Sequence, residues 1–70
     1  MTYSEAFEII QMKLKLSCRS DVIEGANIAG STYDRWVDGK VVQPRLATFV
    51  KLCIYYNIDV DVNELAELLN

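Results

Sequence analysis

Residues 19–39, RSDVIEGANIAGSTYDRWVDG, decide how this chain folds. Val22, Ile23 and Ala26 recur at i, i+1 and i+4, and Tyr33, Trp36 and Val37 at i, i+3 and i+4. Each set makes one apolar stripe on a helix, and the short polar interruption at Asn27 separates them. Two such stripes flanking a turn of three or four residues give two helices packed at a steep angle. Asn27 is suited to end the first helix because Asn tolerates positive φ better than most residues. Ile28 plugs the turn, the second helix runs from about Gly30 to Asp38, and Gly39 stops it. The start of that second helix is weakly capped, since Ala29 stands where Ser or Thr serves best. The outward faces carry Arg19, Gly30, Ser31, Asp34 and Arg35, and we read this shared ledge as a recognition surface.

The flanking segments extend the helical pattern. A first helix is expected over Tyr3 to Leu16, with Thr2 and Glu5 spaced as a capping box. Tyr3, Phe7, Ile10 and Leu14 fall on one face and read as core, and Lys13 and Lys15 suit the C-terminal end of the helix dipole. Ser17, or less well Cys18, caps the second helix. Gly25 inside it costs about 1 kcal/mol relative to alanine, which points to close approach of a neighbouring helix. Lys40 to Gln43 connect to a fourth helix, expected to begin with Pro44 at its first position. Leu46, Phe49, Val50, Cys53 and Tyr56 form its apolar stripe, and Asn57 ends it. Ile58, Val60 and Val62 alternate with acids, yet a lone strand has no partner, so Ile58 is read as an anchor in a turn. Asp61 and Glu64 have cap spacing, so a fifth helix is expected over Val62 to Leu69, its apolar face built from Val62, Leu65, Ala66 and Leu69. The expected fold class is all-α, a single domain of five short helices.

Composition bounds the function. The chain has 70 residues, room for one small core, and its apolar fraction of 51% argues for a folded domain. There is no histidine and no C-x-x-C, so a zinc site is not expected, and neither is any cofactor. Cys53 sits in an apolar helical run and reads as a small core residue; a disulfide to Cys18 is the lesser alternative. No signal peptide or membrane-length apolar run is visible, which suggests a cytoplasmic protein. No glycine-rich phosphate loop and no Ser or Cys nucleophile with a base partner is present, so catalysis is not expected. Glu5 with Glu8 and Glu64 with Glu67 have i, i+3 spacing, and we read them as solvated helix faces.

The net charge of −3 is unevenly spread. Lys13, Lys15 and Arg19 outweigh Glu5 and Glu8 near the N-terminus, while Lys51 stands alone against Asp59, Asp61, Glu64 and Glu67 after residue 45. DNA-binding domains usually carry a basic excess, and this chain does not.

The run from Arg19 to Ile58 resembles the helix-turn-helix domains of lambda-type phage repressors and Cro proteins. The matching residues are Arg19, Val22, Ile23, Ala26, Asn27, Ile28, Tyr33, Trp36, Gly39-Lys40, Pro44-Arg45-Leu46, Lys51 and Asn57-Ile58. The R-W-x-x-G-K block followed by P-x-L is the most specific part. The resemblance implies a lambda repressor-like bundle and a small transcriptional regulator of a phage or mobile element, its third helix lying in the major groove of operator DNA. It assigns Arg19 to a phosphate, Gly30, Ser31 and Thr32 to base edges, Arg35 to the exposed position one turn further on, and Lys40, Gln43 and Arg45 to backbone-approaching loop positions. A homodimer on paired half-sites would be needed for tight binding. The chain departs from the pattern at Asn27 for glycine, Ala29 for a hydroxyl cap, Gly30 without a side chain, and Asp34 on the groove face. The acid-rich balance keeps a second expectation open: an antirepressor or modulator of repression that docks on a partner repressor protein through the same scaffold. Arg35 lies near Asp34 and Asp38, so an ion pair within its own helix competes with any DNA role.

Overall fold

The computed structural model describes residues 1–61. The described residues form four α-helices and no strand: α1 (Tyr3–Leu16), α2 (Arg19–Ala26), α3 (Gly30–Val37) and α4 (Leu46–Tyr55). The expectation of a fifth helix over Val62 to Leu69 lies outside the described residues. The architecture is all-α, with α1 packed on α3 and α4, and α2 packed on α3 and α4.

Local sequence explains where each helix begins and ends. Thr2 caps α1, its hydroxyl oxygen accepting from the Glu5 N–H at 3.2 Å and donating to the Glu5 carboxylate at 2.9 Å. The reciprocal bond thus runs through the Thr2 hydroxyl and not its backbone N–H. The cap of α2 is Cys18 and not Ser17. The Ser17 hydroxyl is taken up by the Lys13 carbonyl at 2.5 Å and the Tyr56 hydroxyl at 2.7 Å, a contact that ties the end of α1 to the end of α4.

Three helices end by the same device. Asn27, Gly39 and Asn57 adopt φ of 57°, 72° and 56°. The following residues Ile28, Lys40 and Ile58 then donate their N–H groups back to the carbonyls of Ile23, Arg35 and Cys53. This left-handed closure satisfies carbonyls that a helix end leaves free. After α2 and α4 it also turns an isoleucine, Ile28 or Ile58, toward the core. Lys51 on α4 donates to the Asn27 carbonyl at 3.2 Å, placing a cation at the C-terminal end of α2 where the dipole favours it.

α4 starts later than the proline rule places it. Pro44 is buried and precedes the cap, Arg45 is extended at φ −69° and ψ 141°, and the helix begins at Leu46. The extended Arg45 keeps Pro44 outside the helix, so the ring is spent on packing and not on helix initiation. Its buried residues are Phe49, Leu52 and Cys53. Leu46 and Val50, expected in the stripe, lie at its half-buried margins, and Leu52 at i+3 from Phe49 is fully buried in their stead.

The core centres on Trp36, only 1% exposed, with Phe49, Ile10, Leu14, Leu52 and Val22 around it. Tyr3 and Phe7, expected in the core, are half-buried and pack against it, and Ala6 between them is fully buried: the Tyr3 and Phe49 ring centroids are 5.0 Å apart, as are those of Phe7 and Trp36. Tyr33 buries its ring and donates its hydroxyl proton to the Leu14 carbonyl at 2.7 Å, which fixes α3 against the end of α1. Cys53 is buried and Cys18 exposed, and both are free thiols.

Gly25 has the role its cost implies. A Cβ there would overlap the Tyr55 ring, so the aromatic of α4 rests directly on the α2 backbone. In an open helix, Gly→Ala gains about 1 kcal/mol. Here Gly25→Ala is expected to lose that gain by expelling the ring, whereas in a Tyr55→Ala background it should stabilise by about 1 kcal/mol. Urea unfolding of the four proteins in this cycle measures the coupling. Additivity within about 0.3 kcal/mol would show that the ring does not rest on Gly25.

Candidate nucleic-acid interface

The outward side of α2 and α3 is polar because their inward sides are committed to the core. Val22 and Ala26 on α2, and Tyr33 and Trp36 on α3, are buried. Helical spacing then leaves Arg19, Ser31, Asp34 and Arg35 exposed, with Thr32 and Gly30 partly so.

The expected site residues separate into two groups. The first spans the start of α2 and the start of α3. Arg19, first residue of α2, reaches Asp34 on α3: its Nε donates to Oδ1 at 3.0 Å and its Nη2 to Oδ2 at 3.3 Å. The hydrogen bond from Arg19 holds the Asp34 carboxyl below its usual pKa, and the same bond raises that of Arg19. Both groups stay ionised at neutral pH. Asp34 therefore pairs with Arg19 across the turn, and among the described residues no ion pair engages Arg35.

The second group lines a cleft of about 420 Å³ beside α3. Thr32 and Arg35 enter from α3, Gln43 and Arg45 from the connecting loop, and Thr48 from the first turn of α4. Trp36, Val41 and Pro44 complete the lining. Arg45 is the N-cap of α4 and makes no side-chain cap bond, and Phe49 is the first residue to donate back into the helix, to the Arg45 carbonyl at 3.0 Å. The N–H groups of Leu46, Ala47 and Thr48 precede that first helical bond. Two guanidinium groups beside a helix start make the cleft electropositive and suited to an oxyanion.

Lys40 is exposed, as is Ser31, and neither lines the cleft. Sequence alone does not single out Thr48. It lies three residues beyond Arg45 and so shares that side of the helix, a signal readable only once the helix start is known to be Leu46 and not Pro44. No group of His, Cys, Asp and Glu residues able to hold a metal occurs among the described residues, and no helix among them is long and apolar enough to cross a membrane.

Comparison with family models, with curated proteins and with solved structures finds no match to this chain.

Proposed function

We propose that the chain is a small sequence-specific DNA-binding regulator of the Cro-like type, with α2, the Asn27 turn and α3 acting as a helix-turn-helix and α3 entering the major groove. The observation that carries this reading is the convergence of Arg35, Thr32, Gln43, Arg45 and Thr48 on one cleft along α3. A net acidic chain that nonetheless gathers two arginines, an amide and two hydroxyls beside an exposed helix has a local surface chemistry suited to phosphates and base edges. Arg35 supplies the bidentate donor that guanine O6 and N7 accept, and Arg45 with the start of α4 suits the neighbouring phosphate. A domain of this size covers little groove, so two copies on half-sites about one helical turn apart are expected.

A second reading draws on a different part of the surface. Ile54 is 74% exposed and borders an apolar groove with Val50, Ile58 and Val60, rimmed by Asp59. That groove would suit an apolar segment of a protein partner such as a repressor, with Asp59 facing a basic residue beside that segment.

One titration separates them. The protein is titrated onto DNA flanking its own gene at about 50 and about 200 mM salt, with and without the neighbouring regulator. DNA binding predicts a competitor-resistant complex whose affinity falls with a log–log salt slope of roughly −3, for about three neutralised phosphates. No retarded band at low salt, together with a stable complex with the regulator, would replace the DNA reading by the docking one.

A further inference from the structure

Gly30 opens α3 with no side chain on the face of its first turn that meets α2, and that space is filled. A Cβ built on Gly30 would lie 2.5 Å from Arg19 Nη2 and 3.3 Å from Arg19 Cζ, so the guanidinium of α2 lies across the first turn of α3. Asp34, one turn further along α3, grips it through the paired bonds at 3.0 and 3.3 Å. We propose that Arg19, laid over Gly30 and aimed by Asp34, is a specificity-determining residue that reads a guanine in the major groove. This rests on the DNA-binding reading above and changes the role within it that the family resemblance assigns to Arg19, from phosphate contact to base contact.

Charge and geometry decide between those roles. A phosphate contact works through net positive charge, since its yield is the release of condensed counterions. Asp34 cancels the charge of Arg19, and the pair is a poor phosphate anchor. A base contact works through the placement of donors, and the carboxylate improves that placement. Two parallel bonds fix the plane of the guanidinium, which otherwise swings on a long, rotamer-rich stem. A guanidinium has five N–H donors. The bonds to Asp34 use one on Nε and one on Nη2, so the donors of Nη1 and the second donor of Nη2 remain. These form the end-on edge of the fork, which matches the O6 and N7 acceptors of guanine. The side chain is 55% exposed, so that edge is accessible. Adenine offers an N6 donor where guanine offers O6, and a fork of donors rejects it. Nor does stability account for the pairing, because an ion pair between two exposed side chains contributes little to it. Gly30 has a positive role in this arrangement: it leaves room for a base-reading group that arrives from the preceding helix.

The test is selection from a random double-stranded DNA library with the full 70-residue chain, its Arg19→Lys variant and its Gly30→Ala variant. Arg19→Lys keeps the charge and removes the fork. Gly30→Ala keeps every charge and pushes the guanidinium aside, and because the obstructing atoms are the far end of a flexible chain the fold is expected to hold. Far-UV melting curves check this, and should Gly30→Ala not fold, Arg19→Lys carries the test alone. The natural chain is expected to enrich a guanine at one fixed place in each half-site. Both variants should lose roughly 10- to 100-fold of that preference while the other positions and the salt slope stay as they were. If both variants keep the guanine preference and bind all sequences about as tightly as the natural chain, Arg19 acts through its charge alone and the inference fails, although the DNA reading stands. If the natural chain enriches no sequence at all, the DNA reading fails and takes this inference with it.

Discussion

Trp36→Ala is expected to remove most of the stability of this domain. A chain of this length holds roughly 4–10 kcal/mol in total, by the usual stability per residue. Truncating a fully buried tryptophan to alanine costs about 3–5 kcal/mol, through lost transfer energy and the cavity left behind. Trp36 is 1% exposed and its ring centroid lies 5.0 Å from that of Phe7, the two planes tilted by 33°, so its truncation opens a cavity inside the core. For a small domain each kcal/mol moves the midpoint by about 4–8 °C, and a fall of roughly 12–40 °C in thermal unfolding followed by circular dichroism is the expected reading. Trp36→Phe, which keeps an aromatic ring against Phe7, should recover most of the loss. A Trp36→Ala midpoint within a few degrees of the natural chain would mean that the indole is not the centre of the core. The inward position of Trp36 turns the adjacent Arg35 outward and leaves Thr32, one turn earlier, half-buried at the edge of the cleft, so the proposed interface depends on it.

Arg35→Ala has the opposite profile. The side chain is exposed and makes no ion pair among the described residues, so unfolding should shift by no more than about 0.5 kcal/mol. Binding is where the loss is expected. A bidentate arginine–guanine contact carries about 1–3 kcal/mol of discrimination, a factor of roughly 5 to 150. Affinity for the preferred site should fall by that factor, and affinity for unrelated DNA by much less, as measured by competition titrations at one fixed salt concentration. An equal fall on both would reduce Arg35 to one positive charge among several. Arg35→Lys sharpens the comparison, since lysine retains the charge and loses the fork.

Much of the fold was legible in the order of residues, and the reason is that helices are local. The span of α1, the end of α2 and the start of α3 follow from apolar spacing at three and four residues, and the turns at Asn27, Gly39 and Asn57 from the few residue types that accept positive φ. The errors fell where local rules compete. Ser17 was the better capping residue by type, yet its hydroxyl serves Lys13 and Tyr56. Pro44 suited a helix start, yet it is buried one residue before the cap.

The candidate site was legible by residue and not by arrangement. Arg35, Gln43, Arg45 and Thr32 were all named from the sequence, but nothing in it says that they share a cleft or that Thr48 joins them. Asp34 was read beside Arg35 in its own helix, whereas it grips Arg19, fifteen residues earlier. Adjacent residues on a helix do not face each other, and a partner on another helix is set by the angle at which the two helices cross.

By itself, then, the sequence determined the all-α class, the stops after α2, α3 and α4 and the sidedness of the described helices, because those depend on hydrogen bonds and side-chain spacing within a few residues. Which charges meet, and where an arginine of α2 comes to rest on α3, was decided only by tertiary packing. The buried faces of Trp36, Tyr33 and Val22 fix the crossing of α2 and α3, and the Arg19–Asp34 pair follows from it.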